Sequence, residues 1–283
     1  VLFLVIYILT LVGNLLIIML VAKSQSLQSP MYFFLSQVSV CDLLLTSSIT
    51  PNMLHVIING GSTISVTGCI TQFYFYGFSI AAECLLLTVM SYDRYLAICK
   101  PLHYISIMDL KRQIHLSVGS WLLAFLDLLI TMIFVVELKF CGPSVVDHYF
   151  CDLAPLLDLS CSDNTILKIL EIAVAFLFAL LPFVFIIFTY ISIFTTIFGI
   201  PSTSDRLRAF STCSSHLIVV SIYYGTLLAV YMTPSQGRSL NVNKLISLLN
   251  TTGAPFLNPI IYSLRNRDIK KALRKFLFCF KEN

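Results

Sequence analysis

The amino-acid sequence predicts an all-α membrane protein, a seven-transmembrane helix bundle followed by a short amphipathic C-terminal helix. Hydrophobic residues make up 58% of the 283 residues and charged residues only 11%, whereas about 25% of the residues in a soluble domain are charged. Seven stretches are free or nearly free of charge, each about 20 residues long, enough to cross a hydrocarbon core of ~30 Å. Little of the chain is left for a separate soluble domain.

This composition argues against several classes of protein. A cytosolic enzyme, a nucleic-acid binder and a disulfide-stapled secreted miniprotein are all disfavoured, in spite of a net charge of +4. A β-barrel is excluded, because its strands would alternate polar and apolar residues over about 10 positions instead of running continuously apolar. We therefore expect membrane lipid, and no nucleic acid, among the partners of this chain.

The predicted spans are separated by polar loops. They cover residues 1–22, 30–58, 69–92, 114–136, 172–200, 209–232 and 245–264. Spans two, three and four contain one carboxylate each, namely Asp42, Glu83 and Asp127. Prolines inside the spans are expected to kink the helices without ending them, because neighbouring helices satisfy the freed carbonyl groups. These prolines are Pro51, Pro182, Pro255 and Pro259.

The distribution of basic residues predicts the orientation in the membrane. When alternate loops are assigned to one side, that side collects fourteen of the 18 Lys and Arg residues. The other side holds Lys139, Lys168, Arg238 and Lys244. By the positive-inside rule the C-terminus is cytoplasmic, and seven crossings then place the N-terminus outside the cell.

Four of the nine cysteines fall on the predicted outer side, and these are Cys69, Cys141, Cys151 and Cys161. An oxidising compartment favours two disulfides, and the spacing alone leaves their connectivity open. A metal site that combines these cysteines with His148 is the alternative.

The residues after the last span change character. In residues 265–280 apolar side chains recur at helical spacing, with four basic residues between them. This pattern predicts an amphipathic helix on the inner membrane surface, with a solvated basic tail as the alternative. We expect a seven-transmembrane domain at residues 1–264, and a cytoplasmic helix and tail at residues 265–283.

Several motifs occur in a fixed order along the chain. They are Gly13-Asn14, PMYFFLS at 30–36 with Cys41-Asp42-Leu43, MSYDRYLAICKPLHY at 90–104, RAFSTCSSHL at 208–217 and PFLNPIIYSLRN at 255–266. As an ordered set they resemble the odorant (olfactory) receptors within the class A, rhodopsin-like, G-protein-coupled receptors. The resemblance extends from the first span to the tail.

The resemblance implies a function at the plasma membrane. A small volatile odorant binds from outside, and a heterotrimeric G protein linked to adenylyl cyclase is activated inside, with no enzymatic chemistry. A class A receptor for a different small molecule, or a transporter, is the alternative. An amine receptor would be expected to carry Asp within residues 72–80 and a retinal receptor Lys within residues 248–256, and both are missing. The internal repeats of a transporter are not visible.

The resemblance also implies roles for individual residues. Two disulfides are expected, Cys69–Cys151 and Cys141–Cys161. Residues of the inner switch, which couples to the G protein, are expected at Asp93, Arg94, Tyr95, Tyr190, His216, Asn258, Pro259 and Tyr262. No role follows for Asp127.

Asp42 and Glu83 are both expected at mid-membrane, where two like charges cannot both stay ionised without a counter-ion. The resemblance implies a sodium ion at this position as the only candidate cofactor. Asn14, Ser79 and Asn258 are possible additional ligands. Sharing of one proton between the two carboxyl groups is the alternative.

Helical steps of three and four residues predict a ligand pocket in the outer half of the bundle, because such steps keep side chains on one face. The residues expected to line it are Phe73, Tyr76, Gly77, Ile80, Glu171, Val174, Phe178, Tyr224, Leu227, Leu228, Tyr231 and Thr251. Aromatic and apolar side chains with a few hydroxyl groups suit a small, mostly apolar molecule with one polar function. Ordinary helix packing is the alternative for any single residue of this set.

Overall fold

A computed structural model describes residues 1–141, 145–146, 148–232 and 240–279 of the chain. Within its helices, the side chains of residues 208, 212, 230–232, 240–243 and 277–279 lie outside the description. The helices, in chain order, are α1 (Leu2–Lys23), α2 (Pro30–Asn59), α3 (Val66–Cys99), α4 (Pro101–Ile107), α5 (Leu110–Val135), α6 (Leu153–Leu159), α7 (Thr165–Ala175), α8 (Leu181–Phe198), α9 (Thr203–Met232), α10 (Leu240–Leu248), α11 (Ala254–Arg265) and α12 (Arg267–Cys279).

Seven helical units form the bundle in the residues that the structure describes. In the described part of the chain, α1, α2, α3, α5 and the run Thr165–Phe198 are long and apolar enough to cross a membrane. Helix α9 meets the same test when its two bent parts count as one span. The seventh unit, α10 to α11, packs against α9, while α11 also contacts α1 and α2.

Several helices begin earlier or end later than the apolar stretches that predict them. The fifth span begins at Thr165 and the sixth at Thr203, while α3 continues to Cys99. Polar residues prolong or cap these helices beyond the apolar stretches. The side chain of Ser65 accepts a hydrogen bond from the Gly68 N–H at the start of α3, as an N-cap does.

The four prolines of the spans occupy two kinds of position. Pro51 lies inside α2 and Pro259 inside α11. Pro182 and Pro255 each follow a π-helical turn, at Phe176–Leu180 and Leu249–Gly253. A π turn inserts one extra residue into a helix, which accommodates a residue that lacks an N–H donor.

Close contact between α1 and α11 depends on Gly13. A Cβ atom at this position would lie 3.0 Å from Cγ of Pro259. At the next residue, the Asn14 side-chain amide donates hydrogen bonds to the carbonyl oxygens of Thr10 and Pro255, both at 3.1 Å. The Gly13-Asn14 motif therefore joins the first helix to the seventh.

The terminal helix α12 packs against the bundle. Ile269 and Ala272 are buried, and α12 contacts both α1 and the 3-10 turn Gln25–Leu27. The Tyr32 hydroxyl donates hydrogen bonds to Asn266 Oδ1 at 3.0 Å and Asp268 Oδ2 at 3.1 Å. Part of the apolar face of α12, which was expected to lie on the membrane, is thus covered by protein. The chain turns at residue 266, between α11 and α12, and this turn folds α12 back onto α1.

Candidate ligand-binding and signalling site

A cavity of about 120 Å³ lies between α3, α5, α7 and the segment that joins α5 to α7. We call this segment the outer loop, because it lies on the predicted outer side. An apolar cavity of about 150 Å³ in another protein is large enough to bind benzene, so the space suits a ligand of that size class. The residues that line it are Phe73, Tyr76, Gly77, Ile80, Ala81, Cys84, Asp127, Leu128, Thr131, Asp152, Leu153, Glu171, Val174, Ala175, Phe178, Ala179 and Leu227.

The cavity brings together eight of the residues predicted to bind the ligand. They are Phe73, Tyr76, Gly77, Ile80, Glu171, Val174, Phe178 and Leu227. All of the predicted residues of α3 and of the run Thr165–Phe198 are included, whereas Leu227 is the sole predicted lining residue from the described part of α9. The cavity is therefore displaced toward α5 relative to the prediction.

Three of the four remaining predicted residues are placed elsewhere. The Tyr224 hydroxyl donates to the carbonyl oxygen of Cys84 at 3.3 Å, and Leu228 lies outside the lining. Thr251 donates to the carbonyl oxygen of Ser247 at 2.9 Å and is buried. The side chain of Tyr231 lies outside the described residues. The hydroxyl groups of Tyr224 and Thr251 were expected to contact the ligand, but both donate hydrogen bonds to backbone carbonyl oxygens instead.

Helix α5 contributes three lining residues that the sequence did not predict: Asp127, Leu128 and Thr131. It can do so because Gly77 leaves room for it; a Cβ atom on Gly77 would lie only 2.8 Å from Cδ1 of Leu128. Two features of the sequence could have indicated this contact. One is the small Gly77 among large residues on α3, and the other is the unassigned carboxylate Asp127 in span four.

The outer loop forms the roof of the cavity through Asp152 and Leu153. A disulfide joins Cys69 of α3 to Cys151, and the Cys151 N–H donates to Gln72 Oε1 at 2.9 Å. Gln72 in turn donates to the carbonyl oxygen of Ser48 at 2.9 Å, which ties the roof to α2 as well as α3. Gln72 was not recognised from the sequence, because a lone glutamine in a span carries no motif.

The second disulfide, Cys141–Cys161, closes a loop within the roof. All four outer cysteines are thus in disulfides, and no cluster of metal-ligating residues occurs among the described residues. His148 instead lies against aromatic rings, with centroids 4.6 Å from those of Tyr149 and Phe150. The metal alternative for these residues is not supported, since disulfide sulfurs cannot serve as thiolate ligands.

Burial changes the acidity of two groups in the roof. Desolvation raises the pKa of Asp152 above its ordinary value, partly offset by the hydrogen bond from the Leu153 N–H. Burial likewise raises the pKa of Tyr149, whose hydroxyl lies 3.4 Å from Thr251 Oγ1. The roof therefore contacts the seventh helical unit through Tyr149.

A buried polar cluster occupies the centre of the bundle. Asn258 Nδ2 lies 3.2 and 3.1 Å from the two carboxylate oxygens of Asp42 and 3.4 Å from Glu83 Oε1. Asp42 is fully buried and Glu83 is 1% exposed. Three of the five residues expected at a sodium ion are thus in contact with one another.

Two further observations bear on a cation at this cluster. Glu83 Oε2 and Asn14 Oδ1 are buried without a hydrogen-bond partner in the described structure, and such orphaned acceptors are costly unless something satisfies them. Asn14 donates to α1 and α11 backbone, and Ser79 donates to the Phe75 carbonyl at 2.7 Å. The oxygen-rich set around Asp42 and Glu83 fits a sodium ion or a shared proton, and no hydrogen bond links Asn14 or Ser79 to it within the described residues.

An ion pair lies at the inner end of α3. The Arg94 guanidinium donates to the adjacent Asp93 carboxylate, with Nε 2.9 Å from Oδ2. The Tyr104 hydroxyl, from the short helix α4, donates to the other oxygen of Asp93 at 2.8 Å. Arg94 is 6% exposed and Asp93 fully buried, so the arginine is held inside the bundle.

The other expected switch residues lie on α3, α8, α9 and α11. The Tyr190 hydroxyl lies 2.7 Å from Nδ1 of His216, which joins α8 to α9. The Tyr262 hydroxyl is fully buried and has no hydrogen-bond partner in the part of the chain that the structure describes. Tyr95 is half-buried, and Pro259 packs on Gly13.

A cavity toward one end, a buried polar centre and an ion pair toward the other end of one helical bundle are features of a membrane receptor. A family model described as olfactory receptor matches residues 3–280. Olfactory receptor 1C1 of Homo sapiens is 45% identical over 277 residues, which are 98% of this chain and 88% of that receptor. Olfactory receptor 287 of Rattus norvegicus is 45% identical over 274 residues, which are 97% and 88% of the two chains. Olfactory receptor 5G29 of Mus musculus is 44% identical over 270 residues, which are 95% and 86%.

The chain therefore belongs to the olfactory receptor family. Its members are class A G-protein-coupled receptors, so it is a multi-pass membrane receptor and not an enzyme. Family membership implies seven membrane crossings, odorant binding and coupling to G proteins.

Proposed function

We propose that this receptor binds small, mostly apolar volatile molecules in the cavity between α3, α5, α7 and the outer loop. The observation that carries the proposal is the convergence of eight predicted residues on one space of about 120 Å³. Burial of apolar ligand surface against Phe73, Ile80 and Phe178 contributes most of the affinity, at roughly 25 cal/mol per Å². Directional contacts come from the few polar groups in the lining.

Binding is transmitted to the inner face through the packing of the helices. The cavity is lined by Cys84 and Leu227, and Cys84 accepts a hydrogen bond from the Tyr224 hydroxyl on α9. A ligand that fits one arrangement of α3 and α9 better than another shifts the population toward that arrangement. At the inner end, release of Arg94 from Asp93 lets it meet the G protein and the hydroxyl groups of Tyr190 and Tyr262.

The N-terminus lies outside the cell and the C-terminus in the cytoplasm of a receptor in the plasma membrane. The excess of Lys and Arg on the α4 and α12 side supports this orientation. The disulfide-bonded roof then faces the oxidising side, as disulfides require. Helix α12 lies at the inner surface in contact with lipid through its basic residues, and the G protein raises cyclic AMP through adenylyl cyclase.

The test is a ligand screen on the full chain in cells, with cyclic AMP as the readout. Val174→Phe places a larger ring in the lining, and we expect the effective concentration of every agonist to rise by about tenfold or more. Val184→Phe is the matched control, because Val184 lies on the same span and is 54% exposed on the outer surface of the bundle. Agonists that respond equally to both variants at equal surface expression would contradict this site.

A further inference from the structure

The lining of the cavity is acidic. Asp127, Asp152 and Glu171 all contribute to it, and no Lys, Arg or His is among the described residues of the lining. They come from three separate elements, namely α5, the outer loop and α7. A neutral apolar ligand would add no counter-charge to these groups inside the cavity.

Asp127 is the group that most needs a partner. It is only 9% exposed, it lines the cavity, and its carboxylate makes no hydrogen bond among the described residues. The single hydrogen bond at this residue uses its backbone carbonyl, which accepts from Thr131 Oγ1 at 3.1 Å. Burying an unpaired carboxylate is costly, and the cost is offset when a cation binds beside it.

The two other carboxyl groups are less isolated. Asp152 accepts a hydrogen bond from the Leu153 N–H at 2.8 Å. Glu171 is half-buried, and Lys168, one turn away on the exposed face of α7 and outside the cavity lining, supplies it with a counter-charge. Both add negative potential to the cavity, whereas the nearest basic side chain on α7 faces solvent.

We propose that the preferred ligands of this receptor are small organic ammonium ions, that is, protonated alkyl amines, with the nitrogen beside Asp127 and the alkyl body against Phe73, Ile80 and Phe178. This inference rests on the proposed function and names the chemical class of its ligand. Alkyl amines are protonated at neutral pH, as the Lys side chain is. A charge-assisted hydrogen bond to a buried carboxylate is about twice as strong as a neutral one.

An amine ligand was not expected from the sequence, because the carboxylate that would bind it lies on α5 and not on α3. Residues 72–80 of α3 contain no carboxylate, and that is where an amine receptor was expected to carry one. Here the Asp127 carboxylate comes from the opposite wall, α5, which Gly77 allows to approach α3. The same logic disfavours carboxylic acids, because they would add a like charge to the cavity.

The experiment compares ligands of equal chain length in the cyclic AMP assay: hexylamine, hexanol and hexanoic acid. We expect hexylamine to be at least about tenfold more potent than hexanol, and hexanoic acid to be inactive. Asp127→Asn keeps the side-chain shape but removes the charge, and it should abolish the preference for the amine over the alcohol. Asp127→Glu should retain that preference.

Asp158→Asn is the matched control, since it makes the same charge change in α6 at an exposed residue outside the lining. Glu171→Gln gives a second test of the negative potential within the cavity. It should lower the potency of the amine by a smaller factor than Asp127→Asn does. Surface expression is measured for every variant.

Equal potency of the amine and the alcohol, or an amine response that survives both Asp127→Asn and Glu171→Gln, would overturn the ammonium assignment. So would a receptor that answers the alcohol or the acid and not the amine. In each of these cases the proposed function stands if Val174→Phe still weakens the active ligand. If Val174→Phe has no effect on any agonist, the cavity itself is not the ligand site and both proposals fail.

Discussion

The hydroxyl of Tyr104 donates a hydrogen bond of 2.8 Å to Asp93, so the Asp93 carboxylate is shared between Tyr104 and Arg94. Tyr104 belongs to α4 in the inner loop, and Arg94 to the end of α3. A residue of a connecting helix therefore helps to hold the ion pair in place. Burial, followed by the charge of Asp93, raises the pKa of Tyr104, so its hydroxyl remains a donor throughout the physiological range.

Tyr104→Phe should raise basal signalling. Loss of a hydrogen bond to a charged group costs about 1.5 kcal/mol or more, which shifts a two-state equilibrium by about tenfold. Basal cyclic AMP, normalised to surface expression, is the measurement. Tyr7→Phe on the outer part of α1 is the control for the general effect of losing a hydroxyl. A basal signal equal to that of the control would show that Tyr104 does not restrain the switch.

Substitutions at the two partners of the ion pair should act in opposite directions. Arg94→Ala should abolish agonist-driven cyclic AMP while the receptor remains at the cell surface, because the group that reaches the G protein is lost. Asp93→Asn should instead raise basal cyclic AMP, because it releases Arg94. If both variants merely lower expression to the same extent, the pair is an anchor at the membrane interface and not a switch.

The cluster of Asp42, Glu83 and Asn258 leads to a prediction about sodium. Replacing external sodium with choline should change basal activity if a sodium ion binds between the two carboxylates. The double variant Asp42→Asn, Glu83→Gln should remove this dependence, because the amides cannot compensate the charge of the ion. If the unsubstituted receptor shows no response to sodium between low and physiological concentration, a shared proton is the better account of this pair.

Gly77 should be sensitive to even a single methyl group. Gly77→Ala places a Cβ atom at 2.8 Å from Leu128 Cδ1, so the Leu128 side chain must move within the cavity lining. We expect the effective concentration of agonists to rise by about tenfold, and more for Gly77→Leu. Gly225→Ala is the control, because a Cβ atom there meets nothing within 4 Å. An equal response of the two alanine variants would remove the close α3–α5 contact from the account of binding.

Asp152 should lower the stability of the receptor at neutral pH, although its negative charge in the cavity lining favours a cationic ligand. Burial raises the pKa of this carboxyl group, so its neutral form favours the docked roof; this contribution is present at low pH and is lost as the pH rises through the raised pKa. Asp152→Asn should therefore raise the melting temperature of purified receptor at neutral pH and flatten its dependence on pH. The hydrogen bond to the Leu153 N–H is kept in this variant. A lower melting temperature at neutral pH would contradict the assignment.

The order and the extent of the helices followed from the sequence because a membrane imposes strict conditions. Backbone groups in lipid must be satisfied within a helix, so long charge-free stretches such as residues 1–22 can adopt little else. The ends were less accurate, as at Thr165 and Thr203, because polar residues extend a helix past the hydrocarbon core without changing the hydropathy signal. Motif order was sufficient to indicate the family.

Helical spacing determined which residues share a face, but only the tertiary structure decided what each face meets. Tyr224 and Leu227 are three residues apart, yet Leu227 lines the cavity and Tyr224 donates to the Cys84 carbonyl. The rotation and tilt of each helix are set by its packing against neighbouring helices. An apolar side chain gives the same hydropathy signal whether it faces lipid or protein. For the same reason Asp127 had no role in the sequence alone: its position in the cavity depends on the close approach of α5 to Gly77, which is a property of two helices together.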